Sequence, residues 1–230
     1  MALRRKHPVL LAAVVTMLVA QPLLAHGGPP RRILHDAMFA VVLVSLFFIV
    51  FGQRWERKLA LALIIPALAV YAAYSVLPDR LRLPSLVAYH GSVIAFIAFA
   101  VAVILRDIFR KRAIGGDDVL GAVSGYLLAG VVWGNLYLML HLFVPSSFAV
   151  QPEIAWQLHE WHLRHALFNY FSFTTLTTLN YNDITPAAPF ADTLTWLEVV
   201  FGQFYMAVVV AQLVGMRLAQ AITPDSPPPK

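Results

Sequence analysis

Six apolar runs, each long enough to cross a membrane, dominate this chain. They occupy residues 8–25, 33–51, 59–77, 85–105, 119–144 and 194–218. An α-helix needs about 20 apolar residues to span the hydrocarbon core of a bilayer. The chain of 230 residues is 60% hydrophobic and 13% charged, more apolar surface than a soluble domain of this size buries. The sequence therefore predicts an all-α membrane protein with six transmembrane helices.

The basic residues indicate the side of the membrane on which each connection lies. In a six-span arrangement, 12 of the 17 Lys and Arg residues fall on one side. They are Arg4, Arg5, Lys6, Arg54, Arg57, Lys58, Arg106, Arg110, Lys111, Arg112, Arg217 and Lys230. The positive-inside rule predicts that both termini are cytoplasmic. The net charge of +5 then reflects topology, and no nucleic-acid partner is expected.

The first 25 residues have a second interpretation, because a basic start, an apolar core and a final alanine also describe a secretory signal peptide. Cleavage after Ala25 would leave five spans and an external N-terminus. The orientation of every later segment would stay the same.

Residues 162–177 form a shorter, Thr-rich stretch between the fifth and sixth runs, which predicts a re-entrant helix shielded by protein. Residues 174–183 follow, with the sequence Thr-Thr-Leu-Thr-Thr-Leu-Asn-Tyr-Asn-Asp. This motif resembles the selectivity filter of the potassium channel superfamily, Thr-x-x-Thr-x-Gly-Tyr-Gly-Asp. The residues in register with it are Thr175, Thr178, Tyr181 and Asp183. Asn180 and Asn182 occupy the two glycine positions.

Other segments resemble the bacterial two-transmembrane-pore ion channel family, and the resemblance extends from residue 106 to 218. They read Tyr-Phe-Ser-Phe at 170–173, Asp-Ile-Thr-Pro at 183–186 and Leu-Glu-Val-Val-Phe-Gly-Gln-Phe-Tyr at 197–205. The resemblance implies a multi-pass protein of the bacterial inner membrane with six spans and a retained first run. It divides the chain into four peripheral helices (1–116), a pore domain (117–220) and a short disordered tail (221–230).

The resemblance also implies the chemistry of the site. Potassium sheds its hydration shell in a ring of carbonyls, and four chains must supply that ring, so a homotetramer is expected. The Thr178 hydroxyl and carbonyl would form the innermost ion site. The further ion-binding residues are Leu179, Asn180, Tyr181 and Asn182. The partners are then other copies of the chain, membrane lipid and monovalent cations; no cofactor is expected besides the permeant potassium ions.

Several residues are expected to support the filter. Thr175 lies behind it, the Tyr181 ring braces it against the re-entrant helix, and Asp183 at the outer mouth hydrogen-bonds to Tyr170 or Trp161. Glu198 in the sixth run is interpreted as a buried tie to the back of the filter or as an ion ligand. For the tie, His141 and the hydroxyls of the re-entrant helix are the candidate partners.

The filter asparagines leave selectivity open. A filter whose carbonyls all face the axis needs left-handed backbone positions, which glycine adopts freely and asparagine tolerates next best. The outcomes are a potassium-selective channel, a weakly selective cation channel or a non-conducting form, including a regulatory subunit of a related channel. An enzyme is not expected. An intramembrane serine protease would need a Ser–His pair at one membrane depth, and Ser124 and His141 lie 17 residues apart on one helix.

The sequence also bears on how the channel would be gated. The fourth run, 85–105, contains no Arg or Lys, so voltage-sensor gating is not expected. Gly202 is either a gating hinge or a small residue that eases packing. A stripe at helical spacing either lines the inner cavity or packs against the fifth span. The stripe consists of Phe201, Tyr205, Val209 and Leu213. The glycine pairs Gly121/Gly125 and Gly130/Gly134 predict close helix approach.

Overall fold

A computed structural model describes residues 7–25, 29–73, 77–111 and 114–222. In these ranges the chain forms eight α-helices, two short 3₁₀ helices and two short strands. The helices are α1 (His7–Ala25), α2 (Pro29–Ile49), α3 (Arg54–Ala73), α4 (Asp79–Arg110), α5 (Gly116–Phe143), α6 (Pro152–Ala155), α7 (Trp161–Leu176) and α8 (Pro189–Ile222). The strands are β1 (Phe148–Val150) and β2 (Ile184–Pro186). The predicted tail falls largely on residues 223–230, outside the described residues, while residues 221 and 222 end α8.

Four helices in the described ranges are long and apolar enough to cross a membrane. These spans are His7–Leu24, Arg80–Arg110, Gly116–Phe143 and Pro189–Ala219. The other two predicted runs are helical where the structure describes them. In α2 the apolar part among the described side chains is Ala37–Phe48, and α3 opens with four charged residues in its first five. The structure thus supports a mostly helical multi-pass membrane protein. Four of the six expected spans meet the requirements of length and hydropathy in the described ranges.

Four glycines on α5 let three other helices approach its backbone. The side chains that face them are His7 of α1 at Gly121, Tyr205 of α8 at Gly125, Phe173 of α7 at Gly130 and Asn169 of α7 at Gly134. A Cβ atom at Gly134 would stand 2.2 Å from Asn169 Oδ1, and one at Gly130 would stand 2.7 Å from the Phe173 ring. The close approach predicted from the glycine pairs is confirmed, and α1, α4, α7 and α8 all pack against α5.

Helix α1 packs into the fold along its whole length. Leu10, Val14 and Met17 are buried in the core. At its start the His7 ring lies 2.7 Å from an Asp117 carboxylate oxygen. Near its end the buried Gln21 Oε1 accepts a hydrogen bond of 2.9 Å from the side-chain amide of Asn169 on α7. The segment that could be read as a signal peptide therefore contacts both α5 and α7.

A buried carboxylate joins the α2–α3 connection to the far end of α4. Glu56 is 1% exposed, and its Oε2 accepts the N–H groups of Gly52 and Gln53 at 3.0 Å each. Its Oε1 accepts a hydrogen bond of 2.6 Å from Arg106. Burial by itself raises the pKa of the Glu56 carboxyl, but the donors of Gln53, Arg106 and Gly52 outweigh it and hold the pKa below its usual value.

We expect Glu56→Gln to lower the stability of the folded chain by about 2 kcal/mol near pH 7, because charge-assisted hydrogen bonds are lost. A carboxylate with a lowered folded-state pKa contributes stability above its unfolded pKa, and this contribution disappears as pH falls through the folded pKa. The difference in melting temperature between the native protein and the variant should therefore become smaller at acidic pH. Asp107→Asn is the matched control, since Asp107 also pairs with Arg106 but is exposed, and its effect should stay under about 1 kcal/mol. Equal effects of the two variants would contradict this.

Candidate functional site

The Thr- and Asn-rich motif lies between α7 and α8 in an exposed position. Helix α7 is 16 residues long, shorter than a bilayer crossing, and ends at Leu176. The filter segment, which we define as residues 178–182, follows directly and is exposed throughout. Thr175, expected to support it, is 5% exposed at the end of α7. The helix and the segment occupy the positions predicted from the sequence.

Three backbone N–H groups of the filter segment donate hydrogen bonds, and most of its carbonyls accept none among the described residues. The N–H groups of residues 178–180 all donate to the last carbonyls of α7. The N–H of Thr178 donates to Thr175 O at 2.9 Å. The N–H groups of Leu179 and Asn180 donate to Thr174 O at 2.8 and 3.3 Å. Among the described residues, no group donates to the carbonyls of residues 178–181. Four consecutive acceptors are therefore available to a ligand that carries positive charge.

Backbone conformation alternates along this segment. Thr178, Asn180 and Asn182 have φ values of 61°, 44° and 61°, the only non-glycine residues with positive φ in the described part of the chain. The left-handed conformation expected of the two asparagines is confirmed. Thr178 shares this conformation, although a β-branched side chain at positive φ is strained. Strain of this kind persists where the surrounding structure determines it, and here the hydrogen bond to Thr175 O holds the residue in place.

Two tyrosines and an aspartate form the outer end of the site. Tyr170 Oη on α7 donates a hydrogen bond of 2.7 Å to Asp183 Oδ2. The Tyr181 ring lies parallel to the Tyr170 ring, with 6.5 Å between centroids and 2° between planes. Of the two partners predicted for Asp183, the structure selects Tyr170. Trp161 packs instead against the ring of His90, 5.4 Å away.

A two-stranded antiparallel sheet beside the filter was not predicted. Strand β1 pairs with β2, with Ala149 opposite Thr185 at its centre. One residue beyond β1, the Gln151 N–H donates to Asp183 O at 3.0 Å, and its side-chain Nε2 donates to Asn182 O at 3.2 Å. Strands of three residues carry no readable periodicity, so no sequence signal identified them. The Asn182 carbonyl, expected to bind ions, is thus occupied by a protein donor.

Glu198 joins three helices behind the filter. It is fully buried on α8, and its Oε2 accepts a hydrogen bond of 2.5 Å from Tyr137 on α5. Its Oε1 lies 2.5 Å from the hydroxyl of Ser172 on α7, which also reaches Gly130 O on α5 at 2.8 Å. The predicted tie through a hydroxyl of the re-entrant helix is present.

The other partner proposed for Glu198 was wrong. The ring of His141 packs against Phe168, with 5.3 Å between centroids, and Tyr137, one turn earlier on the same helix, reaches the carboxyl group in its place. Because residues four apart share a helix face, the sequence indicated the correct face of α5 and the wrong turn.

Gly202 lies against the end of α7. A Cβ atom built on it would stand 2.5 Å from the backbone oxygen of Leu176, and α8 continues through this position without a break. The same oxygen accepts a hydrogen bond of 3.2 Å from Tyr126 on α5. Of the two roles considered for Gly202, the structure shows the packing role; the gating hinge stays a prediction.

The apolar stripe on α8 packs against the rest of the chain. Tyr205 and Val209 are buried in the core, with Phe201 and Leu213 packed beside them. Tyr205 Oη donates a hydrogen bond of 2.7 Å to Ala122 O on α5. Of the two interpretations of this stripe, packing against the fifth span is confirmed.

The comparison with protein families agrees with this geometry. A family model described as "Ion channel" matches residues 126–217. That segment holds most of α5, all of α7, the filter segment and most of α8. The match supports an ion channel of the potassium channel superfamily, as the motifs predicted. Comparisons with curated proteins and with solved structures found no match.

We expect Gly202→Ala to displace the end of α7, because the added methyl group would overlap the Leu176 carbonyl, a backbone atom that no rotamer change can move aside. The cost should be about 1–3 kcal/mol, typical of overpacking. Gly215→Ala is the matched control on the same helix, where a Cβ meets nothing within 4 Å. Alanine there should be neutral or stabilise by up to about 1 kcal/mol. Thermal unfolding in detergent measures both, and similar melting temperatures for the two variants would refute the close contact.

Proposed function

We propose that this protein is a potassium-type cation channel that conducts passively through a homotetrameric pore. The observation that carries the proposal is the filter segment itself, in which four consecutive carbonyls accept no hydrogen bond among the described residues. Exposed carbonyls on an alternating backbone are the ligands that replace water around a dehydrated potassium ion.

The position of α7 supports the same function. The filter segment begins two residues after α7 ends, and the C-terminus of a helix carries a partial negative charge of roughly half an electron unit. A cation at the inner end of the filter would therefore lie in a favourable field. One chain supplies only one strand of a carbonyl ring, so four chains around an axis complete each ion site.

Contacts of α8 indicate which of its faces lines the cavity below the filter. Successive residues are rotated by about 100° around a helix. Tyr205 faces α5, and Gly202, about 60° further around the helix, faces the end of α7. Gln203 lies about another 100° around in the same direction. Residues 206, 210 and 214 continue that stripe. All four are exposed in the single chain, with Met206 at 50%, Val210 at 44% and Val214 at 60%. This stripe, and not the buried one containing Tyr205, is proposed to line the cavity.

Gln203 is consistent with a water-filled cavity. It is an exposed amide in the middle of a 34-residue apolar helix and has no hydrogen-bond partner among the described residues. A polar group without a partner is costly in lipid, so such residues face water or other protein. Its neighbour Gly202 lies against the end of α7, so Gln203 is at the level where the filter begins.

Selectivity follows from the two asparagines keeping the filter conformation. Both have the positive φ that a glycine would adopt, at a cost of roughly 1–2 kcal/mol each, which the hydrogen bonds around the filter offset. Voltage-sensor gating is not part of the proposal, because α4 has its basic residues only near its ends, at Arg80, Arg82, Arg106 and Arg110. The proposed location is a bacterial inner membrane with both termini cytoplasmic.

The deciding experiment is potassium flux through purified protein in liposomes, compared with sodium flux. The native chain and the variant carrying both Asn180→Gly and Asn182→Gly should each conduct potassium selectively, with the variant at least as active. Equal permeability to the two ions would contradict potassium selectivity. Flux only in the glycine variant, or only after mixing with a glycine-bearing relative, would contradict conduction by the native homotetramer.

A second measurement tests the cavity stripe. The chain has no cysteine, so single cysteines can be introduced without background labelling. In Met206→Cys, a thiol reagent applied from the cytoplasmic side should block most of the potassium flux. Val209→Cys is the control, because that side chain is 4% exposed and packs in the core. If the reagent blocks potassium flux through Val209→Cys and leaves Met206→Cys unaffected, the stripe that contains Tyr205 lines the cavity instead.

A further inference from the structure

The outer loop of the chain bonds the last two carbonyls of the filter region through one residue. Gln151 donates from its backbone N–H to Asp183 O at 3.0 Å and from its side chain to Asn182 O at 3.2 Å. No other residue in the described part of the chain donates to either carbonyl. The filter segment therefore divides into four free carbonyls, at residues 178–181, and a fifth that is already occupied.

A strand pair and an aromatic contact position Gln151. It follows β1, whose pairing with β2 places Val150 opposite Ile184. The other end of β1 is anchored by Phe148, 6% exposed, whose ring packs edge-on against Phe171 of α7 at 5.5 Å. The backbone of Gln151 is thus connected to α7 through Phe148 and to β2 through Val150, and its side-chain amide reaches Asn182 from this position.

We propose that Gln151 is a positioning residue that sets the outer limit of the ion path, by holding the Asn182 carbonyl away from permeant cations. The inference rests on the proposed function and deepens it. In this arrangement the cation sites end at Tyr181, and Asn182 joins them only when its bond to Gln151 breaks. Potassium binding at the outer end competes with an internal hydrogen bond, which lowers the apparent affinity there.

The test is potassium binding to the full-length purified protein, measured by calorimetry in detergent, together with the potassium concentration that half-saturates flux in liposomes. Gln151→Met keeps the length of the side chain and removes the donor. Gln151→Asn keeps the amide but is one methylene too short to reach. Both should raise potassium affinity about fivefold, the change expected for release of one hydrogen bond. Half-saturation of flux should fall by the same factor.

Gln157→Met is the matched control. Gln157 lies in the same outer loop, in the 3₁₀ turn Trp156–His159, and its side chain makes no hydrogen bond in the described part of the chain. Its substitution should leave both readouts unchanged. A purely structural role for Gln151 would alter melting temperature without raising affinity, and that result overturns the inference.

The outcomes distinguish a failure of the role proposed for Gln151 from a failure of the proposed channel function. If native protein binds and conducts potassium while both Gln151 variants bind it with unchanged or weaker affinity, this inference is wrong and the channel function stands. If native protein neither binds nor conducts potassium, the proposed function fails and this inference fails with it.

Discussion

The arrangement of α5, α7 and α8 depends on one buried carboxyl group. Glu198 on α8 reaches Tyr137 on α5 and Ser172 on α7, so a single side chain connects three helices. In lipid there is no hydrophobic force between helices, and packing with interhelical hydrogen bonds sets their register. A buried carboxyl group is costly unless all its oxygens have partners, so this contact allows only a narrow range of helix positions.

The glycines of α5 and α8 allow those contacts to form. They bring α7 so close that its residues touch the backbone of both neighbours, with Asn169 against Gly134 and the Leu176 carbonyl against Gly202. The end of α7 in turn supplies the carbonyls of Thr174 and Thr175, which bind the N–H groups at the start of the filter. The conformation of the filter segment thus depends on glycine contacts that position the end of α7.

Much of this arrangement could be predicted from the sequence, and the failures have a common cause. The order of helix, short helix, motif and helix follows from apolar run length, and the positive φ of Asn180 and Asn182 follows from the glycine positions they occupy. The contacts of Glu198 were only half predicted, because Tyr137 and His141 lie on one face of α5 and differ only in depth. The sequence left two interpretations of the Tyr205 stripe on α8 open, since an apolar helix in a membrane shows no polar face to orient it.

The sequence by itself determined which segments are helical, where the filter lies and which of its residues can adopt left-handed backbone, because run length, motif spacing and side-chain sterics are local properties. Only the tertiary structure decided the rotation of α8, the partner of Asp183 and the engagement of Asn182 by Gln151, 31 residues away. Each of these joins residues distant in the chain through a strand pair or a helix contact. No local pattern records such contacts, because they arise only when separate elements pack together.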